Sequence, residues 1–313
     1  MPAFTATAPG KVILFGEHAV VYGQPAIAVP VEQVKARAVV EPCLKAKSGE
    51  VRIIAKDIQL DCWLKDLPAE QPLAFSIHLA VSELKIQKIP ACIVRVSSTI
   101  PVASGLGSGA AVSVALLRAF SAFLGRPLLD EQVSVLAYEV EKIYHGTPSG
   151  IDNTVITYAR PVYFVKDQPI ERFTVTQPFT IVIGDTGISS PTSQSVRDVR
   201  LGWEAEPERY QSYFSAIGNI VEQARRCIEE KAAQPLGQLM HENHALLQKM
   251  GVSCEPLDQL VSAAERAGAW GAKLSGGGRG GNMIALVDEE QAEAVAQELR
   301  TAGAVSTITT KVR

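Results

Sequence analysis

A chain of 313 residues is long enough for two domains and a sizeable buried core. Its apolar share of 47% and charged share of 20% are ordinary for a globular protein, and a formal net charge of -3 leaves no footprint for nucleic acid or an anionic membrane. Cys43, Cys62, Cys92, Cys227 and Cys254 stand far apart with no Cys-x-x-Cys pair, which argues against a zinc site or a disulfide framework and fits a reducing compartment.

The opening MPAFTATAPGK has no charged segment leading into an apolar one, so no secretory leader is expected. No apolar run approaches the length that spans a bilayer, and a cytoplasmic enzyme is the default expectation. Phe4 to Phe15 reads as a strand broken at Pro9-Gly10, with Lys11 directly after that turn. A lysine at a strand start is ordinarily a solvated edge charge. This one precedes Gly16-Glu17-His18, residues rarely chosen for packing alone, although a surface Glu–His hydrogen bond is the plainer alternative. Ala19 to Tyr22 with Gly23 forms a short turn into a strand from Ala26 to Val31. Val34 to Glu41, Val51 to Ala55 and Ile58 to Trp63 continue as short β-type runs. Leu73 to Leu84 has helical spacing, and Ala91 to Val96 is a compact strand ending at Ser97-Ser98.

The stretch PVASGLGSGAAVSVALL, Pro101 to Leu117, then runs from turn residues and two glycines, Gly105 and Gly107, into an alanine-rich buried helix. Amides at a helix start have no intrahelical partner, and the helix dipole adds positive charge there, so the loop suits a phosphate. The bland reading is a surface turn before a core helix. It is not a Walker A loop, because no Gly-Lys-Ser/Thr follows. Nor is it a nucleophile elbow, because neither Ser104 nor Ser108 is flanked by glycine at the required positions.

Gly125-Arg126-Pro127 breaks the chain, and Asp130 caps a helix reaching about Ile143. Glu139 and Glu141 on that helix point to different faces, so at most one can serve a given site. His145-Gly146-Thr147-Pro148-Ser149-Gly150-Ile151-Asp152-Asn153 reads as a fixed loop before a fresh apolar strand; a cap or turn role is the ordinary fate of Asp152. Pro161 to Val165 is a strand, and the polar Asp167 to Gln177 marks the domain boundary, giving domains 1–166 and 177–313.

The second half begins with a strand, Phe179 to Gly184, and the loop DTGISSPTSQSV. One long helix is expected from Trp203 to Lys231, then helices at about Leu236 to Met250 and Leu257 to Ala267. The ending reads strand (Gly271 to Leu274), glycine loop, strand (Met283 to Val287), helix (Glu289 to Ala302) and strand (Val305 to Val312). That order suggests an α+β sandwich with helices on one face. Gly276, Gly278 and Gly281 satisfy G-x-G-x-x-G, but a strand follows where a dinucleotide fingerprint needs a helix. His241 and His244 lack the H-E-x-x-H spacing and read as a polar helix face.

Four stretches, in this order, resemble the GHMP kinase superfamily: APGKVILFGEHAVVYG, PVASGLGSGAA, EKIYHGTPSGIDN and KLSGGGRGGN. The resemblance covers nearly the whole chain. It implies a two-domain α+β fold, with an N-terminal domain like ribosomal protein S5 domain 2 and a ferredoxin-like C-terminal domain. Within the superfamily, Ala19-Val20-Val21-Tyr22-Gly23 after Gly-Glu-His is similar to the members that phosphorylate (R)-mevalonate at its C5 hydroxyl, with ATP as donor and Mg2+ as cofactor. A homodimer, acting on small molecules without nucleic acid or membrane, is also implied.

Carried over by position, Lys11 matches the lysine near the transferred phosphoryl group, and Asp152 the catalytic aspartate. Ser98 and Pro101, Val102, Ala103, Ser104, Gly105, Leu106, Gly107, Ser108, Gly109, Ala110 and Ala111 match the ATP-binding segment. Glu17, His18, Asp152 and Thr192 match the substrate side; Ser108 and Glu141 match the metal ligands; Gly276, Gly277, Gly278 and Gly280, within Gly276 to Gly281, match the third glycine motif. The chemistry agrees, since phosphoryl transfer needs neutralised phosphate charge and an aligned acceptor rather than covalent work by the protein. Asp152 would take the C5 hydroxyl proton or orient that hydroxyl.

Three departures stand out. Gly109 replaces a serine that contacts magnesium in relatives. Gly277 and Arg279 alter the third motif, Arg279 reaching either a phosphate or solvent. Pro191 and Ser193 replace basic neighbours of Thr192, with Arg197 one turn on as a substitute charge. Other GHMP small-molecule kinases, a mevalonate-phosphate decarboxylase and a non-catalytic ligand sensor are the rival readings.

Overall fold

The computed structural model describes residues 3–101, 104–145, 148–169, 171–189, 192–230 and 234–313. The chain divides into two compact units. Met1–Gly10, Val34–Pro101 and Gly107–Ala159 form the first; Lys11–Gln33, Val102–Leu106 and Arg160–Arg313 form the second. Strands β1 (Phe4–Phe15) and β2 (Ala26–Pro42) pair with each other and contribute residues to both. β1 runs through Pro9, where a break was expected, and β2 joins the two runs expected at Ala26 to Val31 and Val34 to Glu41, passing through Pro30. Proline lacks only its own N–H, so a strand continues wherever that donor is not needed by a ladder.

In the first unit β2 is followed by β3 (Val51–Ala55), β4 (Leu60–Trp63), α1 (Pro72–Glu83), β5 (Cys92–Ser98), α2 (Ser108–Phe123), α3 (Asp130–His145) and α4 (Ile151–Tyr158). The strands are ordered β4-β3-β5-β2, with β3 and β5 parallel and the outer pairs antiparallel. Val94 of β5 faces Val40 and Ile53, all three fully buried, so this register places the alternating apolar set in the core. Helix α1 starts where Gln71 accepts hydrogen bonds from the amides of Leu73 and Ala74 (2.8 and 3.0 Å), with Pro72 at its first position. Helix α2 packs on α1, α3, α4 and β5 through an almost wholly buried row of alanine, valine, leucine and phenylalanine. The segment after Gly150 is helix α4, not the expected strand. Asn153 ties it to α3 by donating to the carbonyl and hydroxyl oxygens of Ser134 (3.1 and 3.0 Å).

In the second unit β6 (Val162–Phe164) pairs with Ala26–Ala28 and with the two-residue β7 (Glu171–Arg172). The remaining elements are β8 (Phe179–Asp185), α5 (Thr192–Ala205), α6 (Pro207–Glu229), α7 (Gln234–Lys249), α8 (Glu255–Arg266), β9 (Gly271–Ser275), β10 (Asn282–Val287), α9 (Ala292–Thr301) and β11 (Ser306–Val312). Strand order β11-β8-β10-β9 is antiparallel throughout, and α7, α8 and α9 pack against this sheet. The long helix expected from Trp203 is two helices. Pro207 cannot donate within a helix and opens α6, while α5 reaches back to Thr192 through the stretch expected as loop. Tyr22 stacks on Phe214 of α6 (4.0 Å between centroids, 11° between planes) and meets Trp203 of α5 edge-on, anchoring the turn that follows His18.

Candidate active site

The second unit carries Lys11, Glu17, His18, Ser104 to Leu106 and the third glycine motif. Lys11 is buried, and its backbone N–H donates to the Leu106 carbonyl (3.0 Å), which fastens β1 to the phosphate-type loop. Asn282, at the start of β10, donates its side-chain amide to the Ser104 carbonyl on the same loop. The loop is thereby held from two directions within the unit. Val102 and Ala103 lie outside the described residues.

Gly16 lets β1 turn into Glu17 and His18. Its φ is +99°, and a Cβ there would stand 2.5 Å from the Cα of Ala26 and the carbonyl oxygen of Pro25, so no side chain fits. His18 takes φ 60° without being glycine. Its Nε2 lies 3.1 Å from the Gly277 carbonyl oxygen. A carbonyl only accepts, so Nε2 carries the proton and Nδ1 the lone pair. Burial, which disfavours the charged ring, pulls the His18 pKa down to about 4 against the Gly277 hydrogen bond, and the positive charges of Arg279 and Lys273 lower it further. His18 is therefore neutral at physiological pH.

Glu17 is fully buried and paired with the equally buried Lys273 of β9. Burial raises the carboxyl above its ordinary value, opposed chiefly by Lys273 and less by Lys11; burial likewise lowers Lys273. The third motif is pinned on both sides. Gly278 (φ +74°) passes so close to Val252 that an added Cβ would sit 1.9 Å from its carbonyl oxygen. Gly281 donates to the Ile188 carbonyl (2.8 Å) and accepts from the hydroxyl of Thr186 (2.9 Å). Arg279 does not simply point to solvent. Its guanidinium pairs with Asp198 of α5 and donates to the Gly251 carbonyl (3.2 Å), while its backbone N–H donates to Val252 (2.8 Å). Arg197 stays largely exposed beside Asp198 at 3.7 Å. Helix α5 begins at Thr192, whose side chain lies outside the described residues.

The first unit carries Ser98, Gly107 to Ala111, Glu141 and Asp152. Gly107 caps α2 in the left-handed conformation with no side-chain hydrogen bond, which leaves the first-turn amides of Ser108, Gly109 and Ala110 to a ligand or solvent. The Ser98 hydroxyl accepts from the Ile100 amide (3.1 Å), shaping the turn that leads towards Pro101. Glu139 and Glu141 do point to different faces of α3: Glu139 is exposed and paired with Lys142 (2.7 Å), whereas Glu141 is buried. Asp152 stands in the first turn of α4, directly after Gly150 (φ +90°), which sets the angle at which the helix begins.

Lys273, Asn282 and Asp198 were missed by motif reading. A lysine in the middle of a strand whose five residues are all buried was the available signal, since such a charge requires a buried partner. His244, expected on a polar face, is buried. Its Nδ1 accepts the Leu274 amide (3.3 Å) and its Nε2 faces Asp258 (3.1 Å), so it supports β9. Among the described residues no group of three histidine, cysteine or acidic side chains is placed to hold a metal.

Family models match here: the GHMP kinases N terminal domain over residues 74–160 and the GHMP kinases C terminal over residues 224–305. The chain is a GHMP kinase. A mevalonate kinase of Thermococcus sibiricus is 38% identical over 97% of this chain and 95% of its own length. A mevalonate kinase of Pyrococcus horikoshii is 38% identical over 97% and 94%. Among solved structures, L. major mevalonate kinase in complex with R-mevalonate superposes with a TM-score of 0.84 at 28% identity, covering 100% of this chain and 96% of that one. Within the GHMP kinases, the chain belongs to the mevalonate kinase family.

Proposed function

We propose that this protein transfers the γ-phosphoryl group of ATP to the C5 hydroxyl of (R)-mevalonate, giving (R)-5-phosphomevalonate and ADP. The observation that carries this reading is identity of 38% with a mevalonate kinase across 97% of the chain, so the likeness extends well beyond a shared nucleotide-binding segment.

Each residue then has a task set by its chemistry. The amides of the loop from Ser104 to Ala110 receive phosphate oxygens. Lys11, kept buried within β1, stabilises negative charge on the transferred group and on the attacking oxygen. Asp152 accepts the hydroxyl proton or holds the hydroxyl in line. The neutral His18 ring, with its Nε2–H committed to Gly277, offers Nδ1 to a hydroxyl of the acceptor. By resemblance to the family, Thr192 serves the acceptor and the phosphate, and the Gly276 to Gly281 loop shapes the site. Glu141 and Ser108 fit Mg2+, because both offer the hard oxygen donors that this ion takes. When bound, the ion supplies charge that offsets the β- and γ-phosphate oxygens.

Five free thiols, and the lack of any helix among the described residues long and apolar enough to cross a membrane, support a cytoplasmic location. A coupled ADP-release assay with Mg-ATP, run against mevalonate, 5-phosphomevalonate, galactose and homoserine, tests the function. A rate specific to mevalonate is expected. A better rate with 5-phosphomevalonate, or none with mevalonate, defeats the assignment.

A further inference from the structure

Lys273 and Glu17 bury two full charges in the second unit. Lys273 also donates to the Leu274 carbonyl (2.7 Å), while Glu17 Oε2 has no hydrogen-bond partner. Such a pair is a poor device for stability. Apolar residues of similar volume commonly serve as well or better, because the cost of drying both charges offsets their attraction. The geometry that the pair imposes accounts for it better.

Alternate residues along β9 and its extension reach the same neighbouring segment. Lys273 holds Glu17, the Ser275 hydroxyl donates to the Ile13 carbonyl (2.9 Å), and the Gly277 carbonyl accepts from His18 Nε2 (3.1 Å). The segment so held contains the one-residue turn at Gly16 and the left-handed His18. A non-glycine residue persists at positive φ only where its surroundings over-determine it. Lys273 is the β9 residue of that restraint that carries a charge, and it holds Glu17, the residue directly before His18.

We propose that Lys273 is a positioning residue for the phosphoryl acceptor: through Glu17 it locks the Gly16–His18 turn onto the third glycine loop and so sets where the His18 ring meets the acceptor. The proposal rests on the functional reading above, in which His18 faces the acceptor and the loop amides face ATP. Glu17 on this view acts from behind the site rather than by touching substrate.

The test is the double variant Glu17→Gln/Lys273→Met, which removes both charges together and leaves no lone buried ion. If the pair only supports the fold, a variant that melts near the parent temperature keeps parent kinetics. The positioning role instead predicts a KM for mevalonate raised at least ~10-fold, a KM for ATP within ~2-fold of the parent, and a fall in kcat smaller than the rise in KM. Unchanged KM for mevalonate in the folded double variant overturns the proposal. Should that variant fail to fold, Lys273→Arg keeps the charge but moves it onto a broader planar head. A mevalonate KM raised ~5-fold at parent melting temperature then supports positioning, and a parent-like KM overturns it. Parent enzyme with mevalonate and Mg-ATP runs alongside; if the parent itself releases no ADP, the functional assignment fails rather than the positioning claim.

Discussion

Removing one half of the buried pair should leave a signature in stability against pH. In Lys273→Met the Glu17 carboxyl stays in a site with no solvent exposure and loses its main opposing charge, retaining a backbone hydrogen bond and the weaker pull of Lys11. Burial already raises this carboxyl with Lys273 present, and loss of the ammonium raises it further in the variant. The folded pKa then lies above the unfolded value of about 4.3. A raised pKa contributes stability that is complete below the unfolded value and is lost as pH rises through the folded one. The slope in that window is about 1.4 kcal/mol per pH unit for one proton. As pH rises from the unfolded value the variant should therefore lose stability, and the parent, whose carboxylate keeps its ammonium, less. Urea unfolding followed by tryptophan fluorescence reads this directly, because Trp203 and Trp270 both belong to the second unit. The double variant Glu17→Gln/Lys273→Met, with neither group left to titrate, should lack this slope. A destabilisation of Lys273→Met that is constant from pH 5 to pH 8 would refute the reasoning.

Asp152→Asn should lower turnover by at least ~100-fold with ATP affinity nearly intact, as expected when an acid–base or orienting group is lost; near-normal turnover removes Asp152 from that role. His18, with a folded pKa of about 4, contributes stability that is present above the unfolded value of about 6.5 and lost as pH falls through the folded one. His18→Gln should flatten roughly 3 kcal/mol of the acid limb over that window, and an unchanged limb in urea titrations would place the ring elsewhere. Arg279→Ala breaks a partly exposed pair with Asp198, so it should cost about 1 kcal/mol or less and leave the KM for ATP within ~2-fold. A tenfold rise in that KM would instead put Arg279 on a phosphate.

Local chemistry along the chain was enough to place β1, β5, α2 and β8 to β11 and to reject the dinucleotide fingerprint, because glycine, proline and apolar period act over a few residues. The same local rules separated Glu139 from Glu141, since two positions on one helix cannot face one way. They failed at Ile151–Tyr158, a short apolar run that suits strand or helix alike until α3 offers Asn153 its partner in Ser134. Tertiary structure alone decided the roles of Lys273 and Arg279. A lysine in an apolar strand and an arginine in a glycine loop acquire meaning from Glu17 and Asp198, which lie far away in the chain. Sequence specifies which charges exist and how each short segment bends; only the folded chain pairs a buried charge with its distant counter-ion, because burial and Coulomb attraction depend on proximity in space.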